Sequence, residues 1–197
     1  MLRAGGLVAY PTDTVYGLAA LATDDRAVEK LFEAKKRPRD QPTPILLASS
    51  DDAAVLVDHM TLVARRLMRA CWPGALTIVL RKAKGFHSKA VGETVGVRVP
   101  DHPVPRALAR LLGAPITGTS ANVAGSPAPL TAQDVRAQLG DAVDLIIDGG
   151  ACPGGRPSTV LDCTIDPPRV LRDGALSRDE LEKAAGIQLG KADSEES

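Results

Sequence analysis

The chain has 197 residues, with 24 basic and 24 acidic side chains and therefore no formal net charge. That balance argues against a protein whose main task is to coat nucleic acid or an acidic membrane surface. A hydrophobic fraction of 44% suits one compact α/β domain, and aromatics at only 3% leave few side chains for stacking single-stranded bases.

In chain order, GLVAYP (6–11) reads as a buried strand that stops at Pro11, and the loop PTDTVYG follows with Thr12, Asp13, Thr14 and Tyr16. Residues 24–36 set Val28, Leu31 and Phe32 at helical spacing. Then comes AKKRPRDQP (34–42), with Lys35, Lys36, Arg37 and Arg39 side by side. Pro38 disfavours helical geometry at Arg37, so this basic cluster straddles a helix end and the loop beyond it. PILLAS (44–49) reads as a strand, 51–58 and 61–71 as helical stretches, and WPG (72–74) as a turn. ALTIVLRK and VGVRVP are strands, VPRALARLL a helix, and APITGTS a strand running into a loop. TAQDVRAQL is a helix capped by Thr131, and VDLIIDGG, STVLDC and RVLR are strands. In SRDELEKAA, Ser177 and Glu180 form a capping box. Strands and helices alternate without a domain-sized break. This predicts a single α/β domain over 1–187, a twisted mixed sheet with flanking helices, and a disordered charged tail over 188–197.

Cys71, Cys152 and Cys163 make no CxxC pair, and His59, His87 and His102 show no metal-ligand spacing. A disulfide scaffold or a thiolate zinc site is therefore not expected, and a cytoplasmic location is. No apolar run is long enough to cross a bilayer, and MLRAGGLVAYPTDT does not read as a signal peptide.

Several stretches carry candidate chemistry. The four cations of 35–39 fit a solvated surface, a nucleic acid contact or a bound phosphate chain. Gly150 to Gly155 has the spacing of a phosphate-binding loop, but Arg156 stands at the lysine position and Pro157 at the hydroxyl position. A strand also follows where that motif needs a helix. The segment 149–157 reads instead as a flexible loop and a candidate lid, with Ser158 at a strand mouth where its hydroxyl can reach a ligand. In PITGTSANVAGSP, Gly118, Ser120 and Asn122 fit either an ordinary turn or a ligand edge at a strand end. Arg98, flanked by valines, either snorkels to solvent or points into a cleft, where its guanidinium can hold a carboxylate through two bonds. Arg172 in RVLRDG is similar. No GxSxG, HExxH or Ser-His-Asp order appears, so the expected chemistry is positioning without a covalent nucleophile.

Taken in order, GGLVAYPTDTVYGL, KLFEAKKRPRDQP, WPGALTIVL, VGVRVPDHP, TSAN (119–122), DGG followed by PSTV, and VLRDG resemble the threonylcarbamoyl-AMP synthase family, the YrdC-like proteins. The resemblance runs from about residue 5 to 185 and looks like the short, single-domain form. It implies a twisted mixed sheet around a large basic cavity. The implied reaction makes L-threonylcarbamoyl-AMP and pyrophosphate from L-threonine, bicarbonate and ATP. Mg²⁺ is expected to arrive on the ATP, held by phosphates and water rather than by a protein cage. The product would pass to a separate transferase that modifies the adenosine next to the anticodon of tRNA.

The resemblance also implies roles. Lys35 and Arg39 match positions that contact ATP, with Arg37 between them. Thr94, Ser120 and Arg172 match further nucleotide contacts, Ala128 contributes backbone, and Asn122 lies near the nucleotide. Thr12, Arg98, Gly118 and Ser158 match the threonine-binding set, Arg98 facing the carboxylate. Many members read NPLxVH after the basic motif, whereas this chain reads QPTPILLAS, so a threonine contact near Pro44 is implied only weakly. The alternative is a tRNA- or double-stranded-RNA-binding module, whose cations would grip phosphates. Weak tRNA contact is also compatible with the synthase reading. A carbamoyl-phosphate-using domain, as found within hydrogenase-maturation proteins, is the remaining rival.

Overall fold

Residues 1–190 are described by the computed structural model, and among them ten strands and five α-helices follow the alternating order expected. They are β1 (Val8–Tyr10), β2 (Gly17–Ala19), α1 (Asp25–Ala34), β3 (Ile45–Leu46), α2 (Leu62–Cys71), β4 (Leu76–Arg81) and β5 (Thr94–Arg98). Next come α3 (Pro103–Leu112), β6 (Ile116–Thr117), β7 (Thr119–Ser120) and α4 (Ala132–Leu139). The last are β8 (Leu145–Ile146), β9 (Thr159–Asp162), β10 (Arg169–Arg172) and α5 (Arg178–Ala185). The helical stretch expected at 51–58 is a 3-10 turn, Ser50–Val55. Strand β2 begins at Gly17, the last residue of the loop read at 11–17, and was not expected.

The mixed α/β class holds, but the strands divide between two mixed sheets, ordered β7-β2-β1-β8 and β10-β9-β4-β5-β3-β6. The hand-over lies at Gly118, where β6 ends on the larger sheet and β7 begins on the smaller one. A Cβ at Gly118 would sit 2.5 Å from Leu46 Cγ, and its N–H donates to Pro44 O at 2.7 Å. The absence of a side chain there lets the crossing strand lie against β3.

Helix α1 is wedged between the sheets. Its start is capped by Asp24, whose carboxylate accepts from Arg26 N at 2.9 Å and Ala27 N at 3.2 Å. Val28 and Phe32 pack into the core of the larger sheet, while Ala27 and Leu31 pack into the core of the smaller one. The C-terminus of α1 therefore opens toward both sheets. Lys36, just past it, sits in the left-handed region at φ 49°, and the chain changes direction between Lys35 and Arg37. A non-glycine residue there costs about 1–2 kcal/mol. Lys36→Gly is expected to raise stability by about 1 kcal/mol. An unchanged or lower urea midpoint would refute this.

In β4, Leu76, Ile78 and Leu80 point into the larger core with Leu67 of α2 and Leu181 of α5. The alternate residues, Thr77 and Val79, line the opposite face of the sheet. That alternation provides the floor of a cleft. At the C-terminus, where a tail was expected from 188, residues 189 and 190 are held against the fold. Leu189 is buried, its carbonyl accepts from Arg178, and Gly190 N donates to Pro168 O at 2.8 Å. Residues 191–197 lie outside the described residues. No described helix is long and apolar enough to cross a membrane.

Candidate active site

Three arginines far apart in sequence converge on one face of the larger sheet. A cleft of about 280 Å³ is lined by Arg37, Thr94 and Arg172 together with Thr77, Gly96 and Pro44. Arg172 Nη2 donates to Ser158 O at 2.8 Å and to Ser158 Oγ at 3.3 Å. The Ser158 hydroxyl lies 2.9 Å from Thr77 Oγ1, so β4, β9 and β10 are tied together across the cleft floor. Arg37 is braced by its own loop, donating from Nε to Gln41 O at 3.1 Å and from Nη2 to Pro42 O at 3.0 Å. The Thr43 hydroxyl beside it is buried and has no hydrogen-bond partner among the described residues.

Arg98 lies alongside, at the end of β5. Its Nε donates to Gly74 O at 2.8 Å, its Nη1 to Thr14 Oγ1 at 3.3 Å and its Nη2 to Asp13 Oδ1 at 2.6 Å. The ion pair is sheltered, with side-chain exposures of 7% for Arg98 and 15% for Asp13. Burial pulls Arg98 below the usual guanidinium range, and Asp13 opposes that shift. Arg172 is lowered too, first by burial and then by the positive fields of Arg98 and Arg37. The positive fields of Arg98 and Arg37 at Arg172 would be relieved by an anion beside it.

Lys35 does not join them. It is 1% exposed. Its Nζ donates to Ser120 O at 2.5 Å and to Asn122 O at 2.7 Å, with Asn122 Oδ1 at 3.3 Å. Burial, and then Arg37, lower its pKa to about 8. Lys35 thus clamps the turn after β7, in which Ser120 Oγ donates to Asn122 Oδ1 at 2.5 Å and Asn122 Nδ2 donates to Ser126 O at 2.6 Å. Arg39 points elsewhere, 60% exposed and paired with Glu29 at 3.5 Å and Glu33 at 3.3 Å. The run of cations therefore splits: one residue is buried, Arg37 faces the cleft, and Arg39 lies outside it.

Other expected residues also divide. Thr12 is buried and occupied locally, its hydroxyl donating to Val15 O at 2.7 Å and accepting from the backbone N–H groups of Thr14 and Val15. Gly118 serves strand packing, as described above. Ala128 is half-buried and does not line the cleft. The glycine-rich loop is anchored at its start, since Tyr16 Oη donates to Gly150 O at 2.8 Å and Cys152 N donates to Leu130 O at 2.8 Å. All three cysteines are free, and burial pushes each thiol up, Cys163 to about 12. None is poised as a thiolate. Thr43 and Thr77 are site residues that the sequence reading did not single out, and Asp13 was noted in the loop PTDTVYG without a role. The one signal for Thr77 was a hydroxyl on the polar phase of an otherwise apolar strand. A second groove, of about 320 Å³, runs beside Asp52, Val55 and Arg110 and holds none of the expected residues.

Fold and site together define an α/β domain with a cleft lined by Arg37 and Arg172, with Arg98 close enough for its field to reach Arg172. The family model Sua5/YciO/YrdC, described as "Telomere recombination", matches residues 1–174, and the chain belongs to that family. It is 43% identical over 187 residues to the threonylcarbamoyl-AMP synthase of Pyrococcus abyssi, covering 94% of this chain and 55% of that protein. It is 40% identical over 202 residues to the Bacillus subtilis threonylcarbamoyl-AMP synthase, covering 100% of this chain and 58% of that protein. The crystal structure of P. abyssi Sua5 complexed with L-threonine superposes with a TM-score of 0.90 at 41% identity, over 96% of this chain and 56% of that chain. This chain spans little more than half the length of these relatives.

Proposed function

We propose that this chain is a threonylcarbamoyl-AMP synthase, a nucleotidyltransferase that joins L-threonine, bicarbonate and ATP into L-threonylcarbamoyl-AMP with release of pyrophosphate. The observation that carries the reading is the convergence of Arg37 and Arg172 on one cleft with Arg98 beside it. ATP supplies the polyanion and threonine the carboxylate. Arg37 and Arg172, both lining the cleft, take the phosphates, Thr94 adds a hydroxyl, and Ser158 holds Arg172 in place. Arg98 takes the threonine carboxylate. Ser120, Asn122 and the Ala128 backbone serve the nucleotide through the turn that Lys35 clamps.

The threonine nitrogen, once its ammonium has given a proton to solvent, bonds to the bicarbonate carbon while a C–O bond breaks and water leaves. An oxygen of the resulting carbamate then attacks the α-phosphorus, whose bond to the bridging oxygen breaks to release pyrophosphate. The protein contributes no nucleophile. It holds the short-lived carbamate against the phosphate, and fixed guanidinium groups stabilise the charge that builds on the leaving pyrophosphate. Among the described residues no cluster of three or more His, Cys, Asp or Glu side chains could hold a metal ion. The residues present therefore do not fit a Mg²⁺ cage. The ion is assigned to the phosphates of the incoming ATP. The adenylate would leave for a cytoplasmic transferase acting on tRNA.

Pyrophosphate release from ATP, with threonine and bicarbonate omitted in turn, tests this. Release is expected only with all three substrates, and release independent of threonine would contradict it.

A further inference from the structure

The carboxylate of Asp13 stands beside the group assigned to the threonine carboxylate. Arg98 has five N–H donors, and three of them are bound by Gly74 O, Thr14 Oγ1 and Asp13 Oδ1. Two remain, enough for a two-point contact with a carboxylate. Asp13 commits one oxygen to Arg98, and its other oxygen takes no bond from a described residue. Its side chain keeps more exposure than its partner's, 15% against 7%. A neutral site for an inorganic anion would not need this carboxylate. The cleft cations Arg37 and Arg172 already suit phosphate, and a negative charge beside Arg98 offsets that arginine's attraction for one.

The pair does suit a zwitterion. A free α-amino acid carries its ammonium one carbon away from its carboxylate, the same juxtaposition in mirror charge. The turn that presents Asp13 is also sheltered. Gly154 packs on it so closely that a Cβ there would lie 3.1 Å from Thr14 Cα and 3.2 Å from Asp13 O. Water is thereby limited and charge–charge contacts are strengthened.

We propose that Asp13 is a substrate-binding residue that holds the α-ammonium group of the amino acid whose carboxylate Arg98 takes. The two side chains then form one recognition unit for free α-amino acids. This rests on the synthase reading of the site. It adds a second point of contact that places the substrate nitrogen, whose ammonium then loses a proton to solvent before the free amine attacks bicarbonate.

Calorimetric binding of L-threonine and of 3-hydroxybutyrate, which keeps the carboxylate and hydroxyl but lacks the amine, tests the proposal on wild type and Asp13→Asn. Asparagine retains an acceptor opposite Arg98 Nη2 and loses the charge. Threonine binding is expected to weaken about 10- to 100-fold in the variant, with 3-hydroxybutyrate unchanged. Equal losses for both ligands would make Asp13 a brace for Arg98 alone and overturn the proposal, as would no loss for either. Wild type provides a check that does not depend on the variant folding: threonine should bind at least about tenfold more tightly than 3-hydroxybutyrate, and equal affinities would overturn the proposal. Glycine and serine run alongside separate the two readings. Binding of another α-amino acid but not threonine would sink the synthase reading and leave the zwitterion site standing. Binding of none would remove both.

Discussion

Lys35→Met is expected to destabilise the fold by about 2–4 kcal/mol, because it strips a buried ammonium from three acceptors on the turn after β7. ATP affinity should fall with it, since Ser120 and Asn122 lose their fixed geometry. Arg37→Met provides the contrast. It should weaken ATP binding while leaving the urea midpoint nearly unchanged, because Arg37 lines the cleft and braces only its own loop. If the Lys35 variant kept wild-type stability and lost only affinity, the clamp would be wrong and a direct phosphate contact right. The pH dependence adds a second check. The Lys35 amine titrates at about 8 in the fold and has an ordinary value of 10.5. Between those values the unfolded chain binds more protons than the native one, so this group adds stability as pH rises from 8 toward 10.5. Below pH 8 it is charged in both states and that gain is absent. The gap between wild type and Lys35→Met should therefore widen across that window, and a constant gap would contradict the buried placement.

Arg98→Gln should be the most damaging change at the amino acid end. It leaves Asp13 charged and sheltered without its partner, which is expected to cost about 3–5 kcal/mol of stability. Threonine-dependent pyrophosphate release should drop by about 100-fold or more as the carboxylate contact disappears. The double variant Arg98→Gln, Asp13→Asn separates the two effects. Removing both charges together should restore most of the stability, because a buried pair replaced by neutral groups is close to neutral in energy. Activity should stay lost. Recovery of activity in the double variant would show that Arg98 contributes scaffolding only.

What was legible in the sequence was set by local periodicity and capping. Val28, Leu31 and Phe32 announced α1, and the Ser177–Glu180 capping box announced α5, because those signals act within one or two turns. The division into two sheets was not legible. Strands of two or three residues, such as β3, β6, β7 and β8, carry too little alternation to reveal their partners. The crossing at Gly118 depends on Leu46, seventy-two positions away in the chain. Gly118 looked like a point of ligand approach for the same reason. Arg98 was balanced between solvent and cleft because its partner, Asp13, lies 85 residues earlier. The basic cluster was visible as charge, but its division was not. The left-handed turn at Lys36 and the acceptors of the turn after β7 separate one buried amine from one cleft guanidinium.

The central claim is that one cleft holds ATP beside threonine, so that the carbamate is made and adenylated in place. The most direct measurement follows ¹³C-bicarbonate by NMR in the presence of ATP and L-threonine, in wild type and in Arg172→Met. The account predicts that the label appears in a carbamoyl group attached to both threonine and AMP in the wild type, in step with pyrophosphate, and falls steeply in the variant. Pyrophosphate or AMP forming without the label in an adenylate, or the same yield from Arg172→Met, would contradict it.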